Sequence, residues 1–122
     1  SFDASAWDAH RIVVPSKPLL FRYSALTFNS HRIHYDLTYA TAEERYRGLV
    51  VHGPLTATLL LDLARRELGD NALAGFSFRG LSPAICGEAL HLVLRGQGAD
   101  IELAAFAADG RQVMAGSAQG KA

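Results

Sequence analysis

Two short stretches of the sequence hold the residues whose types and spacing could do chemistry. The first contains Asn29 and His34, and the second is the run His52-Gly53-Pro54. An imidazole exchanges a proton near neutral pH, and a side-chain amide can orient a water molecule. A proline fits the first turn of a helix, where free backbone N–H groups stabilise negative charge on a carbonyl oxygen. We therefore expect the two stretches to converge on one site at the start of a helix.

The same residues also fit less specific roles. A lone histidine in a loop is most often structural, and Asn29 fits the cap of a turn. His31 and His34 are close in sequence and, together with His52, match the ligand type of a three-histidine metal site. The sequence holds no Gly-x-Ser-x-Gly elbow, no dinucleotide-binding glycine motif and no glycosidase-type pair of carboxylates. Cys86 follows an isoleucine and fits a small buried residue better than a nucleophile.

The elements that must position these residues form one α+β domain. Residues 54–68 repeat apolar side chains at helical spacing and end in two arginines and a glycine, which suit a helix C-terminus. Strands are predicted at residues 11–14, 19–26, 72–81, 89–95, 101–108 and 111–118, with a hairpin at Asp109-Gly110. Consecutive strands joined by short turns pair antiparallel, so one helix is expected to pack against an antiparallel sheet.

The first chemical stretch lies in the longest predicted connection, residues 27–46. This segment is polar and shows no helical period. Long connections inside compact domains are usually functional. Residues 1–17 are predicted as an irregular lead-in to a single domain over residues 1–122.

The composition excludes several classes of protein. The 122 residues carry 12 basic and 12 acidic side chains, so the formal net charge is zero and offers no footprint for nucleic acid or an anionic membrane. No apolar run approaches the ~20 residues of a membrane span. The sequence has a single cysteine and no signal-peptide pattern, so we expect the reducing environment of the cytoplasm.

Three segments of the chain carry a family resemblance. Residues 21–36, which include Leu-Thr-Phe-Asn-Ser-His-Arg-Ile-His-Tyr-Asp, resemble the active-site signature of MaoC-like hydratases and dehydratases. Residues 48–55 and 76–83 are similar to the same branch, which holds mesaconyl-CoA and itaconyl-CoA hydratases and 3-hydroxyacyl-thioester dehydratases. The resemblance implies a hot-dog fold, an antiparallel sheet wrapped around one long central helix. It also implies reversible addition of water to a 2-enoyl thioester of coenzyme A or acyl carrier protein, without a cofactor.

The resemblance implies roles for individual residues. His34 matches the family's histidine and is expected to act as the general acid and base. Asn29 stands where the wider family has an acid, and it is expected to orient water because an amide cannot take a proton. His52 and Gly53 are expected to bind the substrate, with backbone N–H groups at Gly53 polarising the thioester carbonyl.

Arginines supply the remaining binding candidates. Arg32 and Arg79 are expected to bind the coenzyme phosphates or a substrate carboxylate, and Arg47 is a further candidate. Each also fits an ordinary surface arginine. Branched dicarboxylic acyl groups such as mesaconyl or itaconyl are the first choice of substrate, and medium-chain or β-methyl enoyl groups are the second.

A thioesterase and a non-catalytic binding subunit are the alternative functions, and a second hot-dog domain is the expected partner. A hot-dog thioesterase needs a carboxylate near the thioester, for which Asp36, Glu43 and Glu44 are the loop candidates. A non-catalytic acyl-CoA-binding subunit would need neither Asn29 nor His34. Proteins of the resembled branch typically carry two hot-dog repeats, and this chain resembles the C-terminal, catalytic repeat. We therefore expect a homodimer, or a heterodimer with another hot-dog domain.

Overall fold

The structure, a computed structural model, describes residues 1–27, 29 and 31–121. Its helices and strands are α1 (Lys17–Leu26), α2 (Gly53–Leu68), β1 (Ala9–Val13), β2 (Leu73–Gly80), β3 (Leu90–Gln97), β4 (Asp100–Ala107) and β5 (Gln112–Gly120). The five strands form one antiparallel sheet, and α2 packs against it. The predicted α+β architecture, with an antiparallel sheet on one long helix, is confirmed. Within the described residues, no helix combines the length and the apolar character needed to cross a membrane.

The long helix α2 follows the predicted range closely. It begins at Gly53 with Pro54 in its first turn, and it ends at Leu68, followed by the C-cap residue Gly69, whose φ of 100° only glycine adopts readily. Buried leucines on its inner face, Leu60 and Leu63 among them, pack with the inner face of the sheet to form the core. The helix is therefore held against the inner face of the sheet.

The strand predicted over residues 19–26 is wrong, because this segment forms α1. The hydroxyl of Ser16 accepts a hydrogen bond from the backbone N–H of Leu19 at 3.2 Å, and Pro18 lies in the first turn. These are helix-start signals. Leu20 and Ser24, four positions apart, are buried, while Phe21 is exposed. The aliphatic and aromatic content favours a strand, but the cap and the i, i+4 burial pattern decide for a helix.

The sheet order is β1-β3-β4-β5-β2. The hairpin predicted at Asp109-Gly110 is confirmed and joins β4 to β5. Pairing of consecutive strands fails for β2, which pairs with β5 at the opposite edge from β1. Residues 81–89 carry the chain between β2 and β3, and Ile85 within them forms an isolated bridge with Val50. The crossing segment therefore runs beside the residues that lead into α2.

The connection predicted over residues 27–46 contains two short helical turns. Arg32–His34 forms a 3-10 turn, and Tyr39–Glu43 forms a π-helical turn. Neither is long enough to show a hydrophobic period in the sequence. The backbone N–H of Val50 donates to the carbonyl of Ile33 at 2.9 Å, so the first turn is attached to the segment before α2.

Candidate functional site

The 3-10 turn brings His34 against the segment that leads into α2. The Nδ1 atom of His34 lies 2.6 Å from the backbone carbonyl oxygen of Val50. A carbonyl oxygen only accepts hydrogen bonds, so Nδ1 carries the proton and donates it. The Nε2 atom of the neutral ring then bears a lone pair and has no hydrogen bond to the described residues, so it can accept a proton from another molecule. The structure therefore fixes His34 in the tautomer that a general base requires.

The surroundings of His34 favour its neutral form. The residue is 7% exposed. Burial lowers the pKa of His34 below its usual value, the bond to Val50 partly opposes this, and the neighbouring His31 lowers it further. Near pH 7 the imidazole is therefore uncharged and able to take a proton.

His52 is the N-cap residue of α2 and lies face to face with His34. The two ring centroids are 3.8 Å apart and the ring planes differ by 21°. The Nε2 atom of His52 lies 2.7 Å from the hydroxyl of Ser24 on α1, while its Nδ1 atom is buried without a partner in the described part of the chain. With the side chain of His52 buried, its ring reaches no solvent, and direct contact between this ring and a substrate stays a prediction.

Burial lowers the pKa of His52 to about 4, with His34 adding to the effect. In the unfolded chain the pKa of histidine is about 6.5. Since the folded-state pKa is depressed, stability is fully present above about pH 6.5 and is lost as the pH falls toward 4. We expect the titration of His52 to lower the free energy of unfolding by about 2–3 kcal/mol when the pH falls from 7 to about 4.5. Urea unfolding at both pH values measures this.

The matched control for that pH dependence is His52→Phe, which keeps a planar ring but cannot titrate. Its free energy of unfolding should change less between the two pH values than that of the wild type. His34 and His91 also have lowered pKa values and will leave a residual slope in the variant. Equal slopes in the two proteins would contradict the assignment.

Asn29 lies between the end of α1 and the 3-10 turn that carries His34. Its backbone N–H donates to the carbonyl of Ser24 at 2.8 Å, and its side-chain Oδ1 accepts from the backbone N–H of His31 at 3.0 Å. The oxygen thus closes a local turn, as the alternative role for this residue predicted. The amide NH2 group is the donor that this arrangement leaves for a water molecule.

A cavity of about 330 Å³ opens at the start of α2. Gly53 and Thr56 line it from the helix, and Val50, whose carbonyl holds His34, lines it from the preceding segment. The rest of the lining comes from Val51, Gly80, Leu81, Ser82, Pro83, Ala84, Val113 and Met114. None of these side chains is charged. The cavity therefore suits an uncharged, apolar group placed beside the helix start.

The predicted phosphate-binding arginines lie in different surroundings. The guanidinium of Arg32 is bonded to Asp36 at 2.9 and 3.1 Å and stacks on a tyrosine ring. The guanidinium of Arg47 donates two hydrogen bonds to the carboxylate of Glu88, at 2.6 and 2.7 Å. Arg79 is exposed on the edge strand β2, next to Gly80 of the cavity lining, and it forms no ion pair with the described residues. Arg79 itself lines a separate surface pocket and not the cavity, whereas the guanidinium of Arg111 donates to Ser82 and Pro83 of the cavity lining.

The three histidines of the site are not arranged as metal ligands. In the part of the chain that the structure describes, no group of three or more His, Cys, Asp and Glu side chains is placed to hold a metal ion. His34 Nδ1 and His52 Nε2 are hydrogen-bonded to a carbonyl and a hydroxyl. The metal-site alternative therefore finds no support in the geometry.

Two contributors to the site were missed in the sequence. Ser24 falls in the segment that the sequence predicts as a strand, and that prediction gives no reason to expect its contact with His52. Val50 acts through its backbone carbonyl, and no side-chain pattern signals such a role. The sequence signal for the helix that carries Ser24 is the N-cap serine Ser16 followed by Pro18 in the first turn.

Sequence comparison adds to this geometry. The model of the family "hydroxyacyl-thioester dehydratase type 2" matches residues 1–86. The chain belongs to this family. It is 49% identical over 109 residues to the mesaconyl-C(4)-CoA hydratase of Chloroflexus aurantiacus, covering 89% of this chain and 39% of that protein. It is 41% identical over 86 residues to the mitochondrial hydroxyacyl-thioester dehydratase type 2 of Schizosaccharomyces pombe, covering 68% and 28%. The chain thus spans less than half the length of either relative.

Solved structures identify the fold of this family member. The (R)-hydratase from A. caviae involved in PHA biosynthesis matches with a TM-score of 0.78 and 19% identity, covering 90% of this chain and 89% of that one. The ChsH1-ChsH2 complex from Mycobacterium tuberculosis matches with a TM-score of 0.76 and 11% identity, covering 90% of each chain. The predicted hot-dog fold is confirmed, and at least one protein with this fold forms a complex of two different chains.

Proposed function

We propose that this chain catalyses the reversible hydration of a 2-enoyl thioester, the hydro-lyase reaction that also dehydrates a 3-hydroxyacyl thioester. One observation carries the proposal: a buried His34 whose Nδ1 is committed to the Val50 carbonyl, leaving Nε2 as a base beside the start of α2. Relatives named as a hydratase and as a dehydratase of acyl thioesters support it.

His34 moves the proton in both directions of this reaction. In hydration, Nε2 takes a proton from water while the water oxygen bonds to C3 and the C2=C3 electron pair shifts toward the carbonyl. The imidazolium then returns that proton to C2, so one water molecule is added and the ring is again neutral. Dehydration runs the same steps in reverse. Both directions start from the neutral imidazole, and no cofactor enters the reaction.

Asn29 holds the attacking water, and Gly53 holds the carbonyl oxygen of the thioester. The amide NH2 of Asn29 donates to the water oxygen, because its Oδ1 is occupied by the His31 backbone. The backbone N–H at Gly53 lies at the positive end of α2 and stabilises the enolate-like oxygen of the thioester in the transition state. The exposed Arg79 then binds coenzyme phosphate, and Arg32 contributes if its ion pair with Asp36 opens.

Two acyl classes are candidates for the cavity, and each has its own support. The 49% identity to a mesaconyl-C(4)-CoA hydratase favours a branched dicarboxylic acyl group. The uncharged, mostly apolar side chains that line the cavity favour a medium-chain or β-methyl enoyl group. Coenzyme A and acyl carrier protein are both retained as carriers of the thioester. Comparing kcat/KM among these thioesters distinguishes the classes.

The reaction is tested by mixing the chain with enoyl-CoA thioesters of both acyl classes and following the absorbance of the conjugated double bond. Hydration removes that absorbance and adds the mass of one water to the product. A thioesterase would instead release a free thiol, and a binding subunit would change neither signal. Thiol release without loss of the double bond would refute the hydratase proposal.

We propose that the chain pairs with a second hot-dog unit through the edge strand β2. This strand has an unpaired edge and carries Phe78, 47% exposed, and Leu81 beyond its end is 45% exposed. The chain matches only part of each longer relative, and a structural neighbour is a two-chain complex. By light scattering at micromolar concentration we expect the mass of a dimer.

A single substitution on the edge strand β2 tests this pairing. Phe78→Glu is expected to convert the dimer to monomer, because it places a charge in the apolar interface. Ile12→Glu is the control, since Ile12 is also exposed, at 55%, but lies on the opposite edge, β1. A wild-type monomer, or a dimer unaffected by Phe78→Glu, would be evidence against a homodimer through β2.

A further inference from the structure

We propose that His52, anchored by Ser24, is a positioning residue that fixes the ring plane of His34 and keeps water away from one face of that ring. This inference rests on the proposed function, because it assigns His52 a part in the reaction through His34. It also replaces direct substrate contact as the role of the buried His52 ring.

The geometry of His34 shows why such a residue is needed. The one hydrogen bond of its ring to the described residues, from Nδ1 to the Val50 carbonyl, fixes a single ring atom. A ring held at one atom can still tilt, and tilting moves Nε2 away from the water that it must deprotonate. The His52 ring, 3.8 Å away and 21° from parallel, covers one face of His34 and removes that freedom. The exposed His31 meets His34 edge-on at 5.9 Å.

Ser24 holds His52 and Asn29 at the same time. Its buried hydroxyl lies 2.7 Å from His52 Nε2, and its backbone carbonyl accepts the N–H of Asn29 at 2.8 Å. One residue of α1 therefore links the support of the base to the residue proposed to hold the water. Both arms of the proposed site thus depend on the position of α1 relative to α2.

The hydrogen bonds of His52 also set its charge state. Buried donors without partners are rarer than buried acceptors without partners, so Nε2 carries the proton that is donated to Ser24 and Nδ1 is the bare atom. A second proton on Nδ1 would be buried without a partner against the ring of His34. The titratable groups in ring contact with the pair are His31 and Tyr23, and no carboxylate forms an ion pair with it in the described residues. His52 therefore stays neutral when His34 takes its proton.

The test compares His52→Ala, which removes the stacked ring, with His52→Phe, which keeps a flat ring but not the bond to Ser24. We expect His52→Ala to lower kcat about tenfold or more with little change in KM, because only the orientation of the base is disturbed. Water entering the vacated space should also move the acid limb of the pH–rate profile up toward the ordinary histidine pKa. His52→Phe should recover most of kcat and return the acid limb toward that of the wild type.

Two further variants keep the test decisive. Ser24→Ala removes only the anchor and should shift kcat and the acid limb in the same direction, less than His52→Ala does; it replaces His52→Ala if that variant fails to fold. His91→Ala is the control, since His91 lies on β3 and pairs with His10, outside the site. An unchanged kcat and acid limb in folded His52→Ala, or a folded His52→Phe no better than it, would overturn the proposal.

An NMR titration of the His34 imidazole separates this inference from the proposed function. The titration needs no substrate, so it reports on His34 even if the chain hydrates no enoyl thioester. A raised His34 pKa in His52→Ala and a value near wild type in His52→Phe support the positioning role. No change in the His34 titration in any folded variant refutes it, whatever the activity assays show.

Discussion

Replacing His34 with asparagine is expected to lower kcat for hydration of a 2-enoyl-CoA by about 10²–10⁴-fold, the contribution typical of a positioned acid and base. The asparagine amide nitrogen takes the place of Nδ1 and can still donate to the Val50 carbonyl, so the local bond that attaches the turn to the segment before α2 is preserved. It cannot take a proton from water at neutral pH. The loss should therefore fall on kcat while the unfolding free energy changes little.

The measurement is the loss of enoyl-CoA absorbance over time, alongside urea unfolding of each variant. His34→Ala should lose as much activity and also stability, by about 1–3 kcal/mol, because it leaves the buried Val50 carbonyl without its donor. His91→Asn is the matched control, since His91 lies on β3 and pairs with His10, outside the site. Near-normal turnover in His34→Asn would remove His34 from the reaction.

The wild-type pH dependence gives the same assignment a second check. Hydration and dehydration both begin with a neutral His34, so kcat/KM should fall as the pH drops below the His34 pKa. Burial lowers that pKa, which places the acid limb below the ordinary value of about 6.5 for histidine. The direction of this limb also explains why burial of the site is useful: it keeps the base unprotonated across neutral pH.

The elements that the sequence predicted well are those whose signals are local and redundant. For α2, the proline at its start, the apolar period, the terminal arginines and the final glycine all agree, and the structure differs by one residue. The hairpin at Asp109-Gly110 rests on a turn that few other residues can form. Segment 19–26 had no such agreement, because its composition favours a strand while its cap favours a helix. The pairing of β2 with β5 depends on the whole sheet, and no local signal encodes it.

In the candidate site, too, some features follow from local sequence and others depend on tertiary contacts. Asn29, His34 and the His52-Gly53-Pro54 run stand out by residue type, and the structure places the His34 ring against the His52 ring at the start of α2. The contacts that give them their states are tertiary: the carbonyl of Val50 selects the His34 tautomer, and Ser24 anchors His52. A backbone carbonyl has no sequence signature, and the Ser24 contact exists only because residues 17–26 are helical. Residue types therefore predict the chemistry of the site, while its protonation states require the fold.

The Asn29 amide is the second large contribution that we expect. Asn29→Ala removes both the NH2 group proposed to hold the water and the oxygen that accepts from the His31 backbone. A misplaced water typically reduces the rate about 10²-fold, so kcat should fall by about that factor. Part of the loss could come from the turn itself, and Asn29→Asp separates the two effects. Aspartate keeps an oxygen for the His31 N–H and so preserves the turn.

The comparison of the two Asn29 variants decides between a role in the turn and a role in holding water. If the amide acts through water, Asn29→Asp should unfold at the same urea concentration as the wild type, yet show a different kcat, because a carboxylate accepts from water where the amide donates. It should still retain more activity than Asn29→Ala, since a carboxylate also orients water. A wild-type kcat in Asn29→Ala would exclude the water-holding role. Equal, wild-type kinetics in Asn29→Asp would reduce Asn29 to the cap of a turn and leave His34 as the only side chain acting on the water.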